Sequence, residues 1–187
     1  MLKHGITANM NGMQSSVVVE TSRLVIRELT AADAHFILEL LNDPLFLRYI
    51  GDKGVQTLAD ARQYIATGPC ASYQQNGFGL FAVTLKDGTA IGMCGILRRP
   101  TLSEPDIGFA FLPQYRAQGY AFESASAVTQ WAKEKHNLKR LLAIVSPDNE
   151  ASEKLLGKLQ FCVQGLISLS PEQSDVKLFS RNLETET

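Results

Sequence analysis

The amino-acid sequence predicts a mixed α/β (α+β) domain, with helices flanking a mostly antiparallel sheet. Residues 79–97 form two apolar segments around an Asp-Gly turn, a pattern typical of a β-hairpin. Residues 106–145 have the pattern strand, helix, strand, which predicts a right-handed parallel crossover. A chain of 187 residues, 45% of them hydrophobic, suits one domain with a sizeable core.

The region before the hairpin is predicted to contain one strand and two helices. Alternating polarity indicates the strand, and apolar residues at helical spacing indicate the helices. Thr30 is the candidate N-cap of the first helix, and Pro44 is expected to end it. In chain order, the predicted elements are a strand over 23–29, a helix over 31–43, a loop over 44–56 and a helix from Thr57 to Gly68-Pro69.

The region from the hairpin onward is predicted to alternate strands and helices. The run Leu141–Val145 is continuously apolar, which is typical of a strand covered on both faces. The whole chain thus predicts about six or seven strands and about four helices. The predicted elements here are strands over 79–85, 90–97 and 106–111, a helix over 118–136, a strand over 141–145, a helix over 150–159, and strands over 161–168 and 176–183.

Composition and charge argue against several classes of protein. A net charge of −1 without a basic stripe predicts no nucleic-acid partner. The three cysteines are widely spaced, which argues against disulfides and zinc, and Cys162 is interpreted as a buried core residue. No metal site is expected. No segment is long and apolar enough to span a membrane. Residues 1–19 lack the apolar centre of a signal peptide, so we expect a flexible tail, one domain over 20–187 and a cytoplasmic protein.

The most informative stretch links the strand 106–111 to the long helix. It contains Arg116-x-x-Gly119-x-Ala121 at the start of that helix. Backbone N–H groups at a helix N-terminus bind anions, and a glycine lets the main chain approach a phosphate closely. Arg116 would add a positive charge nearby. The arrangement therefore predicts a pyrophosphate site. A second glycine pattern, Gly77-x-Gly79-x-x-Ala82, precedes a strand and so fails the context of a dinucleotide fingerprint.

These motifs resemble the GNAT superfamily of acetyltransferases. The Arg-x-x-Gly-x-Ala loop resembles its acetyl-CoA pyrophosphate loop. The strand Asp106-Ile-Gly-Phe, the loop Tyr115-Arg-x-Gln-Gly-Tyr-Ala-x-Glu and the helix start Asn149-x-x-Ser152 are similar to the RimJ/RimL-like branch, the ribosomal-protein N-acetyltransferases. The resemblance covers about Glu20 to Leu183. It implies a GNAT fold in which one parallel pair of strands is splayed, with the pantetheine arm of acetyl-CoA in the gap.

The resemblance also implies which residues hold the cosubstrate. Main-chain groups around Phe109 to Leu112 would pair with the pantetheine amides, and a backbone N–H there would hold the thioester oxygen as charge develops on it. Asn149 would contact the pantetheine, or act as a helix N-cap, or do both. The expected cosubstrate-binding residues are Phe109, Phe111, Leu112, Gln114, Arg116, Ala117, Gln118, Gly119, Tyr120, Ala121 and Asn149.

Two residues are candidates for proton transfer. Asp106 would accept a proton from the amine, unless it is only an exposed carboxylate at the start of its strand. Many GNAT enzymes place a tyrosine after the second parallel strand, but 150–159 contains none; Ser152 is the candidate donor to the thiolate, or else part of a helix first turn. Glu123 is interpreted as a helix-surface residue. Gln160 stands where the family commonly has glycine, so a less sharp turn is expected.

The sequence thus predicts an N-acetyltransferase that moves the acetyl group of acetyl-CoA to a primary amine. The amine would be a protein N-terminus or a small amine, attacking directly in a ternary complex. Two alternatives stay open: a GNAT module that binds coenzyme A (CoA) without catalysis, and a protein that binds ATP or NAD. The protein is expected to be a monomer or a homodimer.

Overall fold

Eight strands form one sheet in the computed structural model, which describes residues 15–171 and 174–184. Every pair of neighbouring strands is antiparallel except β5 and β6, which are parallel. The predicted mixed fold is confirmed, with eight strands instead of about six or seven. The strands are β1 (Val17–Glu20), β2 (Leu24–Arg27), β3 (Leu80–Leu85), β4 (Ala90–Leu97), β5 (Asp106–Phe111), β6 (Arg140–Val145), β7 (Cys162–Ile167) and β8 (Val176–Asn182), in the spatial order β1-β2-β3-β4-β5-β6-β8-β7.

Helices cover both faces of this sheet. On one face the helices 120–136 and 150–158 bury Val128 and Leu156 in a large apolar cluster. On the other face the helices 34–41 and 58–65 bury Ile37 and Ile65 in a second cluster. The α-helices of the described residues are α1 (Ala34–Leu41), α2 (Pro44–Tyr49), α3 (Leu58–Ile65), α4 (Ala71–Asn76), α5 (Tyr120–His136) and α6 (Glu150–Lys158).

Two predicted boundaries are corrected near the N-terminus. Val17–Glu20, expected to belong almost entirely to the tail, pairs with β2 as an edge strand; residues 1–14 lie outside the described part. The predicted loop 44–56 begins with helix α2. The Asp43 side chain accepts hydrogen bonds from the amides of Leu45 and Phe46, and Pro44 occupies the first helical position. Asp-Pro is therefore a start signal here, because a proline at that position lacks only an N–H that the helix does not use.

The second helix does not end at Gly68-Pro69. A five-residue π-helical segment over Ala66–Cys70 joins α3 directly to α4. Proline removes an N–H and clashes with the preceding turn of an α-helix, and a wider turn accommodates both effects. The continuous helical segment 58–76 packs beside α1, on the face of the sheet that carries the second cluster.

Candidate active site

The parallel strands β5 and β6 separate almost as soon as they meet. Their register contains one pair, Asp106 with Leu142, and the Leu142 amide donates to the Pro105 carbonyl at 2.9 Å. By contrast, β4 and β5 pair along their whole length. Because the contact lies at the start of β5, the gap opens towards the carboxyl ends of both strands. The sheet therefore contains an internal wedge between two of its central strands.

Peptide groups of β5 face into this wedge. Neighbouring residues of a strand point their N–H and C=O groups to opposite sides. The Leu112 amide donates to the Ile91 carbonyl beside β4 at 3.0 Å, so Phe111 and Phe109 point towards β6, beyond the only registered pair. The Phe111 carbonyl accepts from Arg116 Nε at 2.8 Å. The open groups are thus the Phe111 N–H and both groups of Phe109.

Leu112 differs from its predicted role. Its N–H donates to Ile91, and its carbonyl accepts from the Tyr115 amide at 3.0 Å. Both main-chain groups are engaged within the protein, and the side chain is buried in the second cluster. Leu112 therefore has no open main-chain group for the pairing that the family resemblance implies.

The loop after β5 directs a row of amides outward. A 3-10 turn over Pro113–Tyr115 leads to Ala117 and Gly119, which both have left-handed backbone, with φ of 58° and 84°. Gly119 is the N-cap of α5. Within the described residues, the amides of 117–122 donate to no protein acceptor. Successive free amides at a helix N-terminus form an anion-binding nest.

Arg116, which is expected to add a positive charge near the loop, is paired within the protein. Its Nη2 pairs with the buried carboxylate of Asp43, and its Nε holds the Phe111 carbonyl. The guanidinium therefore braces the loop against α2. The role of Arg116 in holding the cosubstrate stays a prediction, and the backbone amides and the N-terminus of α5 would add their own positive potential to the nest.

Arg23 is a second brace, which the sequence analysis missed. Its Nη1 donates to the Gln118 carbonyl at 3.0 Å, and its guanidinium lies 4.5 Å from the centre of the Tyr120 ring. Its Nε pairs with Glu123 at 2.6 Å, and Glu123 also accepts from Thr21. Glu123 thus links the β1–β2 turn to α5, in addition to being a helix residue. The Gln118 carbonyl is thus engaged by a side chain of the protein.

One hydrogen bond connects the two glutamines of the loop. Gln118 Nε2 donates to the Gln114 carbonyl at 2.7 Å. Its side chain is therefore engaged within the loop, while its own amide stays free. Of the expected cosubstrate residues, Gln114 contributes to loop shape, and Ala117 to Ala121 contribute the open amides.

Asp106 lies at the closed end of the wedge and is 1% exposed. Both of its carboxylate oxygens accept from Arg99 Nε at 3.0 Å. Burial raises the pKa of Asp106 above its usual range, and the charge and hydrogen bond of Arg99 oppose that rise. The alternative of an exposed strand-start carboxylate is wrong. Arg99 was not predicted, although a buried carboxylate requires a partner.

The helix after β6 begins with the predicted asparagine. Asn149 Oδ1 accepts from the Ser152 amide at 3.2 Å, so Asn149 is the N-cap of α6. Ser152 lies in the first turn and is half-buried. Its hydroxyl has no hydrogen-bond partner among residues 15–171 and 174–184. The structure therefore bears out the capping role of Asn149, and both side chains stand beside the end of β6.

Two expectations on the last hairpin are corrected. Cys162 is exposed and not a core residue. Gln160 adopts the left-handed conformation with φ of 64°, so the turn stays as tight as a glycine would make it. Its amide donates to the Gly157 carbonyl at 3.0 Å, and the Phe161 amide donates to the Leu156 carbonyl at 2.9 Å, which closes the end of α6.

Helix α2 spans the open end of the wedge. At its start, Asp43 contacts Arg116 of the loop after β5. At its end, the Ser146 hydroxyl, just after β6, donates to the Tyr49 carbonyl at 2.9 Å, and Arg48 pairs with Asp148 at 2.7 Å. The short helix thus joins the ends of the two separated strands.

A surface depression of about 700 Å³ lies elsewhere, beside α5 and β8. None of the predicted site residues lines it. Its polar walls include Lys133 and Arg181. Within residues 15–171 and 174–184 no helix is long and apolar enough to cross a membrane. The same residues contain no cluster of three or more His, Cys, Asp or Glu able to hold a metal ion.

Comparison with known proteins places this arrangement in a family. Residues 23–162 match the model of the acetyltransferase (GNAT) domain. The chain is 30% identical over 155 residues to the uncharacterised N-acetyltransferase YoaA of Bacillus subtilis (strain 168), covering 80% of this chain and 85% of that protein.

Solved structures share the fold. An acetyltransferase from Agrobacterium tumefaciens str. C58 has a TM-score of 0.75 at 23% identity, covering 95% of this chain and 99% of that one. An acetyltransferase from Salmonella typhimurium that modifies the N-terminal serine of ribosomal protein L7/L12 has a TM-score of 0.76 at 15% identity, covering 90% and 100%. The family match, the relative and the wedge with its loop agree: this chain belongs to the GNAT acetyltransferase family and is an acyl-CoA N-acyltransferase.

Proposed function

We propose that the protein transfers the acetyl group of acetyl-CoA to a primary amine by direct attack in a ternary complex. One observation carries this proposal: the open peptide groups of Phe109 and Phe111 belong to the strand that leads directly into the loop with the free amides of 117–122. A strand-like arm that ends in a pyrophosphate fits that arrangement. The pantetheine amides would pair with the strand, and the phosphates would accept hydrogen bonds from the nest.

The acetyl group would then lie towards the closed end of the wedge. A nitrogen lone pair attacks the thioester carbon, the C–N bond forms, and the C–S bond breaks. The negative charge that develops on the carbonyl oxygen needs a fixed donor, and the Phe109 N–H is the open amide nearest the start of β5. Stabilisation of that charge in the transition state is the main contribution we assign to the protein.

Two side chains would handle the protons. The attacking amine loses a proton, and Asp106 would accept it through water. Burial raises the pKa of Asp106 towards neutral pH, which makes its carboxylate a stronger base. The departing thiolate gains a proton, and Ser152 beside the end of β6 would donate it. Asn149 would hold the start of α6 in place while its exposed edge contacts the pantetheine. Neither proton role requires a metal ion.

The acceptor would enter from the face covered by α1, α2 and α3. We propose an α-amine at a protein N-terminus or a small primary amine. The sequence motifs shared with the RimJ/RimL-like branch support the first, and the fold of the Salmonella enzyme is compatible with it. A chain of net charge −1 favours neither a strongly cationic nor a strongly anionic acceptor.

A non-catalytic CoA-binding module is the second candidate. The observation that favours it is the engagement of Asp106 by Arg99 through both oxygens, which leaves the carboxylate partly neutralised. Membership of an acetyltransferase family favours catalysis. The two candidates differ in turnover and not in CoA binding.

The decisive experiment measures CoA binding and thiol release separately. Isothermal titration calorimetry with CoA tests the wedge and the loop. A thiol reagent then follows CoA release from acetyl-CoA across small amines and peptides with different N-termini. Because Cys162 is exposed, the assay should use Cys162→Ser to remove the protein's own reactive thiol. Binding without release across a broad panel favours the module, and absence of CoA binding refutes both candidates.

A further inference from the structure

We infer that Asp43 is a positioning residue that fixes the cosubstrate loop against helix α2, so that the CoA side and the acceptor side of the site are aligned together. The inference rests on the proposed function, because it assigns a role to Asp43 in the same reaction. Neither the sequence motifs nor the family match singles out this residue, which lies in the stretch predicted to end a helix.

The Asp43 carboxylate makes contacts in two directions. Its Oδ1 accepts from the amides of Leu45 and Phe46 at 3.1 Å each, which caps α2. The same oxygen pairs with Nη2 of Arg116. The Asp43 side chain is 5% exposed, so water competes little for it. A buried charge shared by a helix end and a loop holds both in one geometry.

Arg116 connects Asp43 to the strand and loop on the cosubstrate side. Its Nε donates to the Phe111 carbonyl at 2.8 Å, immediately before the amide nest. Because Asp43 orients the guanidinium, it also determines where the loop leaves β5. It further keeps the Phe111 carbonyl occupied, so that the Phe111 N–H and Phe109 are the groups left to a pantetheine arm.

Helix α2 passes the constraint to the other side of the wedge. The Tyr49 carbonyl at its end is held by the Ser146 hydroxyl at 2.9 Å, just after β6. The nearby Arg48–Asp148 pair is exposed and contributes little by itself. Asp43 therefore provides the buried charged attachment of α2, in addition to the Ser146 hydrogen bond and the packing of Phe46 in the second cluster. Loss of that attachment should loosen the phosphate loop and the acceptor wall at once.

Asparagine separates capping from ion pairing at this position. Asn is as good an N-cap as Asp, so Asp43→Asn should keep α2 while losing the charge that orients Arg116. We expect this variant to stay folded, to bind CoA about tenfold more weakly, and to raise the KM for both acetyl-CoA and the amine. A purely structural role would reduce the amount of active protein, and thus the apparent kcat, without moving either KM.

A double-mutant cycle shows whether Asp43 acts through Arg116. In an Arg116→Gln background, Asp43→Asn should change the Kd for CoA by less than about twofold, because the link is already broken. Asp60→Asn is the matched control. Asp60 caps α3 through the Gln56 and Thr57 amides and has no contact with Arg116, so this variant should bind CoA like the wild type.

The outcomes separate this inference from the proposed function. If the wild type does not bind CoA, the proposed function fails, and the positioning role fails with it. If the wild type binds CoA and folded Asp43→Asn binds it equally well, only the positioning role fails. Equal effects of Asp43→Asn in the presence and absence of Arg116 would also overturn it. Weaker CoA binding with strong non-additivity and both KM values raised supports it.

Discussion

Replacing Gly119 by alanine tests the proposed phosphate loop. At this position the backbone is left-handed, and a bound phosphate would have to come close to the main chain. Gly119 has φ of 84°, and this left-handed conformation costs an alanine roughly 1–2 kcal/mol. The new methyl would lie 3.2 Å from Arg23 Nη2. Because that atom is the movable end of a long side chain, the contact adds little to the loss of stability. For a domain of this size, the loss corresponds to a fall in Tm of about 2–8 °C, measurable by calorimetry.

The effect on CoA binding should exceed the effect on stability. A methyl at position 119 would stand where a phosphate must approach the amides of Gly119 and Tyr120 to about 2.9 Å. We expect the Kd for CoA to rise at least about tenfold, or about 1.4 kcal/mol. Titration calorimetry well below the Tm measures this change on fully folded protein.

Gly157→Ala is the matched control for this experiment. Gly157 lies in α6 with no atom within 4 Å of an added methyl, so alanine should stabilise the helix by about 0.5–1 kcal/mol. Its affinity for CoA should not change. If Gly119→Ala binds CoA as tightly as the wild type, the amides around Gly119 do not hold the phosphates, and the assignment of the loop is refuted.

Three further predictions follow from other residues. Arg99→Gln removes the group that lowers the pKa of Asp106, so the acid limb of kcat/KM should move to higher pH; an unmoved limb would exclude Asp106 as the proton acceptor. Gln160→Gly relieves a left-handed side-chain position and should raise the free energy of unfolding by about 1 kcal/mol, measured in urea; a decrease would contradict the backbone conformation assigned to it. Cys162 should react with a thiol reagent in the native state and Cys94 only on unfolding, because burial raises the pKa of Cys94 to about 12; equal native rates would disprove this.

The parts of the fold that were predicted correctly depend on local pattern. The hairpin of β3 and β4 has its turn and its apolar strands within 19 consecutive residues, 79–97. The crossover helix α5 has apolar residues at helical spacing between two apolar strands. The helix boundary that was predicted wrongly depends on a proline, a residue that can either end a helix or begin one. Pro44 ends one helix and begins another, and the deciding contact is the capping carboxylate of Asp43.

The sequence predicts the loop of the candidate site but not the contacts that hold it. A glycine at a helix N-terminus is visible in sequence, and the loop lies where that motif put it. The pairing of Arg116 could not be predicted because its partner, Asp43, lies 73 residues away in the chain. Arg99 was missed for a related reason: its importance arises from the burial of Asp106, which only the packed structure determines.

The wedge between β5 and β6 has a kinetic consequence. On the proposed binding mode, the strand-like pairing and the phosphate contacts belong to parts of the molecule that the reaction leaves unchanged. Spent CoA would then keep nearly all the interactions that held the acetylated form. On this binding mode we expect product inhibition by CoA, with CoA release limiting the turnover rate, because the product would still pair with the sheet as an added strand.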